Sequence, residues 1–219
     1  MLEEKLNFLK KKLLEHAFLV ENMIEKCIRG LINKEKELLL NIIKDDEPKS
    51  NLLEIELDEL CINLIGQYQP KAKDLRTILM ILKMNNDLER IGDMAVNISE
   101  SSLFIIERPM VKPLIDIPRM AEETIKMLKD SIDSFITGEV MLAKSVCERD
   151  DVVDKLRDQI LRELITFMSS DPSTIERSIH LIRISRDLER IADLSTNICE
   201  DVLYIEEGRV IKHHLEEKK

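Results

Sequence analysis

The sequence predicts an all-α fold: two tandem three-helix bundles of long antiparallel helices. Three observations lead there. Leu, Ile, Glu and Lys dominate, while there are five Gly, six Pro, no Trp and only 3% aromatics, a composition of long helices rather than turn-rich β-structure. Apolar residues recur at spacings of three and four over long stretches. Residues 87–100, DLERIGDMAVNISE, return as residues 187–200, DLERIADLSTNICE, with nine of fourteen positions identical. That period is far longer than the roughly 20–50 residues of solenoid repeats, so a whole structural unit is duplicated. The text before each copy agrees in kind, CINLIGQYQP ending at Pro70 and ELITFMSSDP ending at Pro172. The chain divides into 1–110 and 111–219.

The first helix is read over about 3–29, with Leu6, Leu9, Leu13, Ala17, Val20, Ile24 and Ile28 on one stripe. Gly30 marks its turn. A second helix runs over about 33–68 with a kink near Pro48, which cannot donate a backbone hydrogen bond. A third starts after Pro70 and runs over about 71–107. Arg108-Pro109, Pro113 and Pro118 form the linker. The second unit repeats the scheme: about 117–137, a turn at Gly138, about 139–169, then a helix to about 207. Asp171 is its N-cap, Pro172 its first helical residue and Gly208 its C-cap.

Composition narrows the function. A net charge of -10 disfavours phosphate backbones and argues against nucleic acid. Cations or basic protein surfaces are the natural partners. Cys27, Cys61, Cys147 and Cys199 form no CxxC pair, so they read as small core residues in a reducing cytosol. MLEEKLNFLKKKLLEH is charged throughout and lacks the apolar run of a signal peptide, and no apolar stretch reaches the about 20 residues that span a bilayer. The expected location is the cytoplasm, with the membrane met only through partners. Phosphate-binding loops, G-x-G-x-x-G, H-E-x-x-H and the Glu-x-x-His of di-iron bundles are all missing, so no enzyme is expected. His180 lies four residues after Glu176, and His213 and His214 sit in the charged tail. These read as satisfied or solvated side chains, and the methionines at helical spacing as core filler.

On a helical wheel, Leu88, Ile91, Ala95 and Ile98 form the core stripe, and Glu89, Asp93 and Asn97 lie about 180° away. In the second copy Leu188, Ile191, Ser195 and Ile198 face in, and Glu189, Asp193 and Asn197 face out. Like charges four apart on a helix repel by a few tenths of a kcal/mol. A cation between them removes that repulsion, and carboxylate with amide oxygens suits hard ions such as magnesium, calcium, manganese or iron. Asp150 and Asp154 form a further pair in the preceding helix, beside its stripe of Val153, Leu156, Ile160 and Leu164. In the first unit the matching stretch is degenerate: Glu47 and Asn51 give the best register, with Asp46 and Ser50 as a rival. The competing reading is a solvated face neutralised by Arg90 and Arg190.

QPKAKDLR (69–76) and the two D-L-E-R-I-x-D copies resemble the PhoU family over nearly the whole chain, linker ERPMVKPL (107–114) included. The resemblance implies two three-helix bundles related by a pseudo-twofold axis in a cytoplasmic protein that is commonly a homodimer. It implies a negative regulator of the phosphate-starvation response, acting through the ATPase subunit of a phosphate ABC importer and through a sensor histidine kinase. Some members bind metal clusters at E/D-x-x-x-D, which here falls on Glu89 with Asp93, Glu189 with Asp193, and Asp150 with Asp154. The fourth instance, at Glu47, ends in Asn51 and is interrupted by Pro48. The implied cofactor is a multinuclear metal, left open between iron, magnesium, manganese, calcium and zinc. Two further readings stand beside this one: a structural adaptor without metal, and a carboxylate-bridged metalloenzyme.

Overall fold

Helix is the only regular structure among the described residues, 2–208, of the computed structural model. The expectations for His213 and His214 lie outside them. The order is α1 (Leu2–Asn33), α2 (Lys36–Asn41), a π-helical turn (Ile42–Asp46), α3 (Glu47–Tyr68), α4 (Ala72–Ile106), α5 (Asp116–Thr137), α6 (Val140–Ser170), a 3-10 turn (Pro172–Thr174) and α7 (Ile175–Glu207). The first bundle packs α1, the α2–α3 segment and α4. The second packs α5, α6 and α7. No helix among these residues is long and apolar enough to cross a membrane.

Burial follows the apolar stripes. Leu9, Leu13, Val20 and Ile24 of α1, Leu88, Ile91 and Ile98 of α4, and Leu188, Ile191 and Ile198 of α7 are all fully buried. Each such side chain contributes about 1.5–3 kcal/mol relative to exposure. Of the four cysteines, Cys27, Cys61 and Cys199 are buried and Cys147 is half-buried. Met84 and Met127 are enclosed in the core.

The ends of elements differ from expectation in three places. The turn after α1 falls at Lys34, which takes a φ of 58°. Gly30 stays helical and buried, because Leu39 packs against its bare Cα: a Cβ there would lie 2.6 Å from Leu39 Cδ2. Pro48 lies one residue inside α3, and the π turn before it widens the backbone, absorbing the missing donor. Pro118 sits in the first turn of α5 rather than in the linker, a position where its lost N–H costs nothing. The two C-cap signals fall where expected. Gly138 and Gly208 cap α5 and α7 with φ of 68° and 69°. The Asp171 side chain accepts from the Ser173 amide, with Pro172 at the first position of the 3-10 turn that leads into α7.

The two bundles meet along α4 and α7, the most extensive helix pair among the described residues. Lys83 Nζ donates to Asp201 Oδ1 at 2.5 Å, and Phe104 stacks on His180 with centroids 4.0 Å apart. Passing from Lys83 to Phe104 moves the partner back from Asp201 to His180 by an equal step, so the helices are antiparallel. Equivalent positions of the two D-L-E-R-I-x-D copies therefore approach one another, and the axis of the pseudo-twofold runs between them.

Candidate functional site

In α7 the core stripe fixes the rotation of the helix and turns Glu189 and Asp193 away from it. Glu189 is half-buried and Asp193 exposed. α6, held by Val153, Leu156, Ile160 and Leu164, runs alongside and brings Asp150 and Asp154 towards them. The four carboxylates feel one another. Partial burial, then Glu189, Asp150 and Asp154, push the Asp193 carboxyl up to about 6. Arg157 answers from α6: Nη1 donates to Glu189 Oε1 at 2.6 Å and lies 3.4 Å from Asp154, while Nη2 lies 2.9 Å from Asp158. A groove of about 410 Å³ opens beside Arg157, Glu189, Arg190 and Asp193.

In the first unit Glu89 is again half-buried and Asp93 and Asn97 exposed. Their partners on α3 are Glu54 and Asp58. Burial, Asp93 and Glu54 raise the Glu89 carboxyl above its usual range. Burial, Asp58 and Asp93 do the same for Glu54. Glu47 and Asn51 lie at the opposite end of this stretch, about 10 Å along the helix from the acid pair. Nothing among the described interactions joins Glu47 to Glu89 or Asp93. Asp46 and Ser50, the rival register, point inward: Asp46 takes Lys26 Nζ at 2.7 Å, and Ser50 is buried. The first unit thus has its own E-x-x-x-D on α3, spelled Glu54-Ile-Glu-Leu-Asp58, and its acidic set is as full as the second. Cys61 stands one turn beyond Asp58 where Arg157 stands beyond Asp154, so α3 adds no arginine here and Arg90 of α4 is what partly offsets the rise at Glu89.

A buried polar network backs this first cluster. Asn85 Nδ2 donates to Glu54 O and to Asp58 Oδ1, both at 2.9 Å. Its oxygen therefore faces His16, 2.9 Å from Nδ1. An oxygen there accepts only, so Nδ1 carries the ring proton and Nε2 accepts from the Ser50 hydroxyl at 2.8 Å. His16 is wholly enclosed, and burial holds its pKa below the usual value. The fit needs Gly92, whose Cβ would come 3.2 Å from Ser50 Oγ; the second copy has Ala192 there. The signal in the sequence was a histidine sitting on the α1 apolar stripe.

The donor chemistry of both clusters is oxygen only, which suits hard cations. Among the described residues, no three His, Cys, Asp or Glu side chains already converge as a metal-holding group. Each cluster is two i,i+4 carboxylate pairs on facing helices, with Glu54, Glu89 and Asp193 pushed towards protonation first by burial and then by repulsion from the neighbouring acids, a repulsion that a cation would relieve.

A model of the PhoU domain matches residues 13–102 and again 117–202. The chain is 41% identical over 210 residues to a phosphate-specific transport system accessory protein PhoU homolog of Aquifex aeolicus, covering 95% of each. It is 32% identical over 195 residues to the phosphate-specific transport system accessory protein PhoU of Escherichia coli, covering 89% of this chain and 80% of that one. The crystal structure of PhoU from Pseudomonas aeruginosa superposes with a TM-score of 0.92 at 31% identity, over 95% of this chain and 100% of that one. The phosphate transport system regulatory protein PhoU from Streptococcus pneumoniae gives 0.90 at 26%, over 97% and 100%.

Proposed function

Because this chain belongs to the PhoU family, we propose that it is a cytoplasmic accessory regulator of phosphate uptake and of the phosphate-starvation response. It works without catalysis, as an adaptor that holds metal ions and docks on the ATPase subunit of a phosphate ABC importer and on a sensor histidine kinase. The supporting observation is the pair of acid clusters, one in each bundle, set outside the core stripes by the same motif. Glu54, Asp58, Glu89 and Asp93 would hold a hard cation in the first unit, and Asp150, Asp154, Glu189 and Asp193 in the second. A bound ion supplies charge neutralisation and a bridge between facing helices. The chain's own carboxylates set its selectivity for oxygen-loving metals. Homodimerisation belongs to the same proposal, and exposed Leu52, Ile55 and Ile62 on α3 offer it an apolar contact face.

One observation favours a second reading for the second unit. Arg157 already places a positive charge among Asp154, Asp158 and Glu189, so that cluster can be a metal-free salt-bridged surface. Metal analysis of protein purified without chelators separates the two. Stoichiometric metal lost in Glu89→Ala with Asp93→Ala, or in Glu189→Ala with Asp193→Ala, supports ligation by that unit; its absence overturns it. The regulatory role is tested by deleting the gene: starvation genes should become constitutive, and normal repression in high phosphate would refute the proposal.

A further inference from the structure

The pseudo-twofold between α4 and α7 is broken at one pair of places, and the break leaves a cationic groove open. At one end, Lys83 donates to the buried Asp201 carboxylate at 2.5 Å. The twofold-equivalent of Lys83 is Arg183, and that of Asp201 is Ser101. At that other end the serine hydroxyl is neutral and supplies no anion. Asn86 is likewise replaced by Arg186. These two exchanges make the second end more positive by two charges. The result is a groove of about 290 Å³ lined by Arg183, Arg186, Arg190, Ser101, Asn97 and Asp187, with Glu100 at its edge. Among the described residues none of the three guanidiniums lies within ion-pair distance of a carboxylate, in a chain of net charge -10.

We propose that this groove binds a small tetrahedral oxyanion carrying an ionisable O–H, inorganic phosphate or the terminal phosphoryl group of a nucleotide. The Asp201 carboxylate, held by Lys83, is the internal counterpart of the anion that the Ser101 end takes from solution. Arg183 and Arg186 offer forked N–H donors to its oxygens. Ser101 and Asn97 supply neutral donors on the α4 side. Asp187, at the floor and only 8% exposed, accepts an O–H, which phosphate has and sulfate lacks at neutral pH. The site stands on the groove alone and not on the regulatory reading, so either can fail without the other.

Equilibrium dialysis of full-length, chelator-treated protein against radiolabelled phosphate tests it, the chelator removing any anion held through metal at the acid clusters. One phosphate per chain is expected. Ser101→Asp installs the internal carboxylate of the opposite end and should abolish binding with the fold intact by circular dichroism. Arg186→Asn, copying Asn86, should weaken it by roughly tenfold, as loss of a charged hydrogen-bonding partner does. Lys83→Met should leave it unchanged. ATP displacing the label at lower concentration than phosphate would assign the nucleotide; failure to displace would assign inorganic phosphate. No saturable binding, or binding unaffected by both Ser101→Asp and Arg186→Asn, would overturn the site. Sulfate binding as tightly as phosphate would overturn the ligand assignment.

Discussion

Asp201→Asn should stabilise the protein at neutral pH, against the usual expectation that breaking a buried ion pair is harmful. Asp201 is 4% exposed. Lys83 reaches one oxygen, and the other has no hydrogen-bond partner. Burial outweighs Lys83 and raises the carboxyl from 3.8 to about 6. A tenfold change in proton affinity is worth about 1.4 kcal/mol, so the ionised form costs roughly 3 kcal/mol of folding free energy above pH 6. The sign follows from proton counting. Between the unfolded and folded pKa values the native state binds more protons, so stability falls as pH rises through that window and the full penalty applies above it. Asn keeps an oxygen for Lys83 and has no charge to bury. Urea unfolding at about pH 7.5 should show Asp201→Asn more stable by about 1–3 kcal/mol, with the gap closing towards about pH 4. A variant less stable than wild type at neutral pH, or a gap that does not change with pH, would refute the argument that desolvation outweighs the Lys83 contact.

Three other outcomes follow from packing and hydrogen bonding. Gly30→Ala gains about 1 kcal/mol of helix propensity but drives a methyl into fully buried Leu39, a clash of about 1–3 kcal/mol; thermal melts should show a net loss near 1 kcal/mol. Asn85→Ala strands His16 Nδ1–H and removes a donor from Asp58, and should cost about 2–4 kcal/mol in chemical denaturation while reducing cation uptake by the first unit only. Arg157→Gln removes the cation among Asp154, Asp158 and Glu189. Since these groups are partly solvated the metal-free protein should lose under about 1 kcal/mol, the Asp193 titration followed by NMR should move up from about 6, and magnesium should bring it back down.

How legible the molecule was depends on which signal each residue left. The long helices and the duplication stood in the text, because Leu and Ile at helical spacing admit one rotation of each helix about its axis. That rotation also carried Glu89, Asp93, Glu189 and Asp193 to the outer faces. The partner of Glu89 on the preceding helix was not legible, because the acids around Pro48 imitate the Asp150–Asp154 stretch in the sequence. Glu54 with Asp58, two turns further along α3, meets Glu89 instead. Gly30 misled for a related reason: a glycine signals a turn when its φ is positive, but here it answers Leu39 pressing on the helix. The His16–Asn85–Asp58 connection joins three helices, and no spacing within one helix announces it. Asp187 and Asp201 are buried against the neighbouring bundle, which a single-helix wheel does not contain.

The α4–α7 seam has a consequence for what duplication makes available. Two identical chains associating about a true twofold must place the same residue at both ends of their interface. Fusing the copies into one polypeptide lifts that constraint. One end closes on itself through Lys83 and Asp201 while the other keeps three arginines and a serine. One acid cluster houses an arginine, and its counterpart a cysteine with a histidine relay behind it. The molecule has thereby acquired a polarity along an axis that its ancestry would have made featureless. A partner approaching it can tell one bundle from the other.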